Sequence, residues 1–208
     1  MIKFGIVLIL VLIVLLVIAA GLFFWGKSVY NNMVVLEQGV DQAWAKVEVQ
    51  YQRRMDLIPN LVETVKGYAE HESSTYENVT RARAGLRDAY NQARDLENAA
   101  SPTDTQGFDA FNQAQDKLKS ALGIYVNAVR EAYPDLKANE QFMGLQTQLE
   151  GTENRIATER GRYTDVVKEY NVAVKRFPAN LWAGIFGFSA KPQFQAEAEA
   201  AKAPQVQF

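Results

Sequence analysis

The chain holds few residues able to do chemistry, and they are scattered. Its only histidine, His71, sits in Glu70-His71-Glu72. An imidazole between carboxylates can serve as a general base or as a pH sensor near neutrality. The plainer reading is a surface histidine whose titration is shifted by the acids beside it. That reading is favoured because no serine, threonine or lysine nucleophile stands at a fixed spacing from it. One histidine and no cysteine exclude thiolate metal sites, cysteine nucleophiles, disulfides and the His-Glu-x-x-His zinc motif. A di-iron site in a helical bundle needs Glu-x-x-His on two helices, yet Tyr68 stands three residues before His71. Glycine-rich phosphate loops, Gly-x-Ser-x-Gly elbows and Walker lysines do not occur. No catalytic, cofactor-binding or metal residue is assigned, no cofactor is expected, and the chain reads as a non-enzyme.

Two further groups point to recognition. Arg53-Arg54 with Asp56 could form a partner-binding corner. The preferred account makes the arginines the favourable cations of a helix C-terminus and Asp56 the cap of the next helix, with Pro59 in its first turn. The second group is the short apolar stretch Asn180 to Phe188, rich in aromatics and glycine. Trp182, Ile185, Phe186 and Phe188 are its candidate contacts, to a membrane or a protein partner, unless the stretch is a lid on the chain's own bundle.

The elements that must carry these residues begin with an anchor. Of the first 26 residues 22 are hydrophobic, Phe4 to Gly26 is free of charge, and Ile6 to Ile18 is unbroken Ile, Val and Leu. About 20 helical residues at ~1.5 Å each cross the roughly 30 Å hydrocarbon core. Phe4, Ile6, Ile13, Leu16, Ile18 and Phe24 are assigned to this span, and Trp25 to its interfacial end ahead of Lys27. A cleaved signal fits less well, because Ile18-Ala19-Ala20 is a poor cleavage site and the apolar run is long. A single pass through the plasma (inner) membrane is expected. Lys3 and the α-amino group nearly balance Lys27 and Lys46. A charged start before a long apolar run then favours a non-cytoplasmic location for the remainder.

Beyond the anchor the apolar residues recur at spacings of three and four. Met33, Leu36, Val40, Ala43, Val47 and Tyr51 form one stripe, with Trp44 beside it; Leu57, Leu61, Val65, Tyr68, Tyr76, Val79, Leu86, Tyr90 and Leu96 form a second. Phe108, Phe111, Leu118, Leu122, Tyr125 and Val129 make the third; Phe142, Leu145, Leu149, Ile156, Tyr163, Val166, Tyr170 and Val174 the fourth. Such stripes belong to amphipathic helices crossing at small angles. Asp56 with Pro59, the cluster Ser101 to Gly107, Tyr133-Pro134 and Phe177-Pro178 separate or end them. The expectation is an all-α protein: an N-terminal transmembrane helix and an antiparallel up-down four-helix bundle. Its segments are an anchor over 1–26, the bundle over 27–177, an aromatic and glycine-rich segment over 178–194, and a disordered tail over 195–208. A net charge of −2 and a pI near 5.6 make no electrostatic case for nucleic acid.

Several motifs in order resemble the LemA family. They are Val29-Tyr30-Asn31, the run Ala43 to Gln50, Arg53-Arg54-Met55-Asp56-Leu57-Ile58-Pro59-Asn60-Leu61-Val62, Glu63 to Tyr68 with His71-Glu72, and Leu149-Glu150-Gly151-Thr152-Glu153-Asn154-Arg155-Ile156. Tyr170-Asn171, Phe177-Pro178-Ala179-Asn180 and the Gly-Phe-rich close complete the match, over roughly residues 27–194. Tyr163-Thr164 departs from it, many members having Tyr-Asn. The resemblance implies a membrane helix followed by an antiparallel bundle. It marks Arg53, Arg54, Asp56, Pro59, Asn60, His71, Glu72, Glu150, Asn154, Tyr170 and Asn171 as structural signature positions, and carries over no catalytic residue. It also implies a cytoplasmic bundle, opposite to the charge pattern.

The function these readings favour is a membrane-anchored, non-enzymatic scaffold or adaptor. The anchor lacks Gly-x-x-x-Gly, so self-association is expected through the soluble part. Its partners would be the lipid bilayer, further copies of the chain and an unidentified protein, without nucleic acid. The alternatives are a lipid-binding or membrane-shaping protein acting through the C-terminal aromatics, and a cell-envelope sensor.

Overall fold

The computed structural model describes residues 2–69 and 77–194. Side chains at positions 2–5 and 7, Phe4 among them, fall outside that description, as do His71, Glu72 and the tail over 195–208. The protein is all-α, with no β-strand among the described residues. Helix α1 covers Ile2–Ala69, α2 Glu77–Asp95, α3 Thr105–Ala132, α4 Glu140–Lys175 and α5 Ala179–Phe186, with short 3-10 turns at Glu97–Ala99 and Pro134–Ala138.

The chain divides into two compact units. The first joins residues 1–40 to 166–191, and the second joins 41–165 to 192–208. The second is the four-helix bundle. Its core takes Met55, Ile58, Leu61 and Val65 from α1, Val79 and Leu86 from α2, Leu118, Leu122, Tyr125 and Val129 from α3, and Phe142, Leu145 and Leu149 from α4. All of these but Met55 are stripe positions or immediate neighbours of one, so burial largely follows the 3.6-residue period. A second focus is aromatic: the Trp44 ring lies 5.1 Å from Phe108, 5.6 Å from Tyr163 and 6.2 Å from both Phe111 and Phe194.

The helix boundaries follow local chemistry. Asp104 caps α3 by accepting from the Gln106 amide at 3.0 Å, and Asn139 caps α4 by accepting from the Phe142 amide at 3.0 Å. Side-chain acceptors of this kind satisfy amides that the first helical turn leaves unpaired. A Cβ at Gly107 would collide with the Ala99 carbonyl oxygen, so the turn closing onto α3 requires glycine.

One boundary differs from the sequence reading. Asp56 and Pro59 start no helix, because α1 runs through them to Ala69. An interior proline removes one hydrogen bond and crowds the carbonyl four residues back, a cost of about 3 kcal/mol. Burial outweighs that cost here: Met55, Ile58 and Leu61, all around the proline, are at most 3% exposed. Polar neighbours also feed the exposed backbone, with Asn60 Nδ2 donating to the Asp56 carbonyl at 3.3 Å and Thr64 Oγ1 to the Asn60 carbonyl at 2.8 Å. Arg53-Arg54 are consequently not helix-terminal cations. The fourth stripe is adjusted by one residue, since Val167 is fully buried and Val166 only half so.

In the first unit α1 pairs with the end of α4. Met33 and Val40 are buried there with Val167, Tyr170 and Val174.

Candidate functional site

Two places gather the residues singled out from sequence, one in each unit. The first begins with the apolar run of α1. Ile6, Ile13, Leu16, Ile18 and Phe24 are 53–70% exposed, and among the described residues of the run none is buried by protein. A helix apolar on every face and bare of protein is stable in hydrocarbon, where its own ladder satisfies the backbone.

Trp25 marks the point where α5 arrives. Its ring meets Trp182 edge-on at 5.9 Å, and Tyr30 meets Phe186 at 5.0 Å and Phe188 at 5.7 Å. Trp182 and Phe186, one helical turn apart, stack at 5.8 Å. Gly26 permits this approach, because a Cβ there would stand 2.9 Å from the Trp182 indole. Trp182, Phe186 and Phe188 thus face α1. Ile185, the fourth residue singled out, faces away and is 70% exposed.

A strap holds the chain after α5. The helix stops at Gly187, whose φ of +78° is left-handed backbone that suits glycine. Four residues on, Asn171 grips the backbone of Lys191: Nδ2 donates to its carbonyl at 2.9 Å, and Oδ1 accepts from its amide at 2.8 Å. Lys191 Nζ reaches Glu37 at 2.7 Å and lies over the Tyr170 ring at 5.7 Å. The Tyr170-Asn171 pair therefore belongs to this strap. Replacing Asn171 with Ala removes the partners of both the amide and the carbonyl of Lys191, a residue only 7% exposed, at about 1–3 kcal/mol for each group left unpaired. The expected result is a roughly thirty-fold faster hydrogen exchange at the Lys191 amide, the equivalent of about 2 kcal/mol. Unchanged exchange would mean that the strap is held by something else.

The second place lies inside the bundle. Arg54 on α1 is 1% exposed. Its Nη1 pairs with Glu153 Oε1 on α4 at 2.8 Å, while Nη2 donates to the Gln115 carbonyl on α3 at 3.0 Å and to Gln115 Oε1. The guanidinium sits 5.4 Å from the Tyr51 ring centre, and the Tyr51 hydroxyl donates to Asn112 Oδ1 at 3.4 Å. Beside them Arg160 Nη1 meets Asp116 at 3.1 Å, and a cavity of about 260 Å³ opens among Tyr51, Arg54, Asp116, Glu153 and Arg160. Burial pushes the Tyr51 hydroxyl up to about 12, against the lowering pull of Arg160 and Arg54. It stays protonated throughout the physiological range and acts as a hydrogen-bond donor, not a base.

The remaining signature positions lie apart from both places. Arg53, Asp56, Pro59, Asn60, Glu150 and Asn154 are exposed. Asp56 Oδ1 accepts from Gln52 at 2.8 Å within its own helix, and the Asn154 backbone carbonyl accepts from Thr158 Oγ1 at 2.9 Å. Sequence reasoning overlooked Gln115 and placed Arg54 at a helix end. The usable signal was in the stripes: Gln115 fills the seven-residue gap between Phe111 and Leu118, Glu153 that between Leu149 and Ile156, and Arg54 continues the series from Tyr51 to Ile58.

A helical bundle behind an apolar helix long enough to cross a membrane defines the class, a membrane-anchored helical protein. The chain belongs to the LemA family, whose sequence model matches residues 43–208. It is 29% identical over 178 residues to magnetosome protein MamQ 2 of Paramagnetospirillum magneticum, covering 80% of this chain and 64% of that protein. It is 26% identical over 176 residues to magnetosome protein MamQ of Magnetospirillum gryphiswaldense, covering 79% and 64%. Protein LemA of Metamycoplasma hominis is 21% identical over 172 residues, covering 82% and 71%. The matched part is just under two thirds of the length of the magnetosome relatives.

Proposed function

We propose that this chain is a non-enzymatic scaffold or adaptor, anchored by a single pass in the plasma membrane, that self-associates through its helical bundle and receives a protein partner. The observation that carries this reading is the use made of its buried polar groups. Arg54, Gln115 and Glu153 are consumed in tying α1, α3 and α4 together, and Asn171 in strapping down Lys191. These are the attachments of a supporting structure. Beside them, an open groove of about 990 Å³ lies between the end of α1 and the start of α4, lined by residues such as Asn60, Thr64, Tyr68, Leu145 and Gln148. Its mixture of amide and apolar side chains suits a peptide or helix surface.

Two measurements test the reading. Light scattering of the full chain in mild detergent is expected to give a mass above that of one copy, and a monomer at every concentration would remove self-association. A chain carrying Arg53→Ala, His71→Ala and Glu72→Ala is expected to restore the phenotype of a deletion strain. If it is folded and fails, chemistry resides at those side chains and the scaffold reading falls.

A further inference from the structure

The first unit leaves one apolar face unexplained. Trp182 and Ala183 turn inward from α5, and Phe186 rests against Tyr30 while 42% exposed; Leu181 and Ile185, one turn apart, are 59% and 70% exposed, and Phe177, just ahead of the helix, 76%. Large apolar side chains in a contiguous exposed row mark an interaction surface. The position of that row says which. Ring contacts of 5–6 Å hold α5 against Trp25 and Tyr30, directly after the last residue of the exposed apolar run, Phe24. Those five or so helical residues rise only about 8 Å, comparable with the roughly 5–7 Å headgroup layer on each side of a bilayer. If α1 crosses the bilayer, the outer row of α5 stands at the boundary of headgroups and acyl chains, continuous with the lipid-facing surface of the span.

Charge agrees with this location. Lys27, Lys175 and Arg176 are exposed at the same end of the unit. No aspartate or glutamate occurs from residue 28 to 36 or from 170 to 191, and Glu37 is taken by Lys191. A chain with a net charge of −2 therefore presents a cationic collar here, the complement of anionic lipid headgroups. Apolar residues on one face and cations nearby are the features of a helix that lies in the membrane interface.

We propose that α5 is a second membrane contact. In this arrangement Phe177, Leu181 and Ile185 insert at the interface of the bilayer that α1 crosses, while Lys27, Lys175 and Arg176 engage anionic headgroups. Trp182, Phe186 and Phe188, the most conspicuous aromatics of the segment, take no part in the insertion; they fasten α5 to α1. The proposal rests on the reading of α1 as the anchor, and the test separates the two.

The native chain has no cysteine, so single cysteines placed by Ile13→Cys, Leu181→Cys, Ile185→Cys and Thr103→Cys can each carry an environment-sensitive fluorophore. The full chain is reconstituted in nanodiscs of phosphatidylcholine with or without phosphatidylglycerol, and quenching by spin-labelled lipids is compared with quenching by aqueous iodide. The probes at 181 and 185 are expected to be quenched by lipids labelled near the headgroup, and to be several-fold less accessible to iodide than the probe at 103. Phosphatidylglycerol is expected to strengthen the lipid quenching, and Lys175→Glu with Arg176→Glu to abolish that gain. Probes at 181 and 185 as open to iodide as the one at 103 would overturn the proposal. So would protection from iodide without lipid quenching, the sign of a second copy or another protein on this face. Equal quenching in both lipid mixtures would overturn the headgroup contact. If the probe at 13 escapes deep acyl-chain quenchers, the anchor reading itself fails; if it is quenched and those at 181 and 185 are not, only the second contact fails.

Discussion

Arg54→Ala is expected to be among the most destabilising single substitutions in the bundle, by about 3–5 kcal/mol. Arg54 is held by Glu153 at 2.8 Å and by the carbonyl and side chain of Gln115. Truncation leaves a carboxylate only 27% exposed without its cation, opposite a fully buried amide that has lost its donor. The cost lies in those stranded partners more than in the attraction removed. Replacing the three together, as Arg54→Met, Gln115→Leu and Glu153→Leu, is expected to be neutral or stabilising, because no member of the triad is then left buried without its partner. Denaturant unfolding of the full chain in detergent, followed by circular dichroism, reads both variants. A loss below about 1 kcal/mol for Arg54→Ala would place it among exposed ion pairs and contradict its burial.

Trp44→Ala is expected to cost a similar amount, about 3–5 kcal/mol, for a different reason. The indole is 4% exposed and lies against Phe108, Phe111, Tyr163 and Phe194. Four rings fixed by their own backbones cannot close the space it leaves, so the penalty combines lost transfer energy with a cavity. Phe194→Ala is expected to cost less, since its ring is only half-buried and the cation of Arg160, 4.5 Å from its centre, can turn to solvent. The same unfolding experiment ranks the two, and a Phe194 effect equal to that of Trp44 would mean that the C-terminal segment carries more of this cluster than its exposure allows.

Much of the architecture was legible in the chain itself. The charge-free stretch from Phe4 to Gly26 declares a membrane helix by length and hydropathy, and spacings of three and four declare the helices that follow. The breaks at Ser101 to Gly107 and at Tyr133-Pro134 fall where their residue types place them, while the caps at Asp104 and Asn139 emerge only in the structure. Pro59 misled, because a local rule was overridden by the burial of Met55, Ile58 and Leu61 on neighbouring turns. The two candidate sites were less legible. Arg53-Arg54 reads as one dipeptide, yet successive helical residues point about 100° apart, so one arginine is exposed and the other becomes the centre of the bundle.

What the amino-acid sequence determined by itself is what depends on neighbours along the chain: an anchor, amphipathic helices, most of the breaks between them and the family. What only the tertiary structure decided depends on which helices meet. Gaps of seven at Gln115 and Glu153 are unremarkable within their own stripes, and become a buried polar layer only when α3 and α4 converge on Arg54. The aromatics of α5 likewise look equivalent in one dimension. Gly26 and Tyr30, some 150 residues earlier, select which of them turn inward, because burial is set by the partner surface and a helix can offer only one face to it.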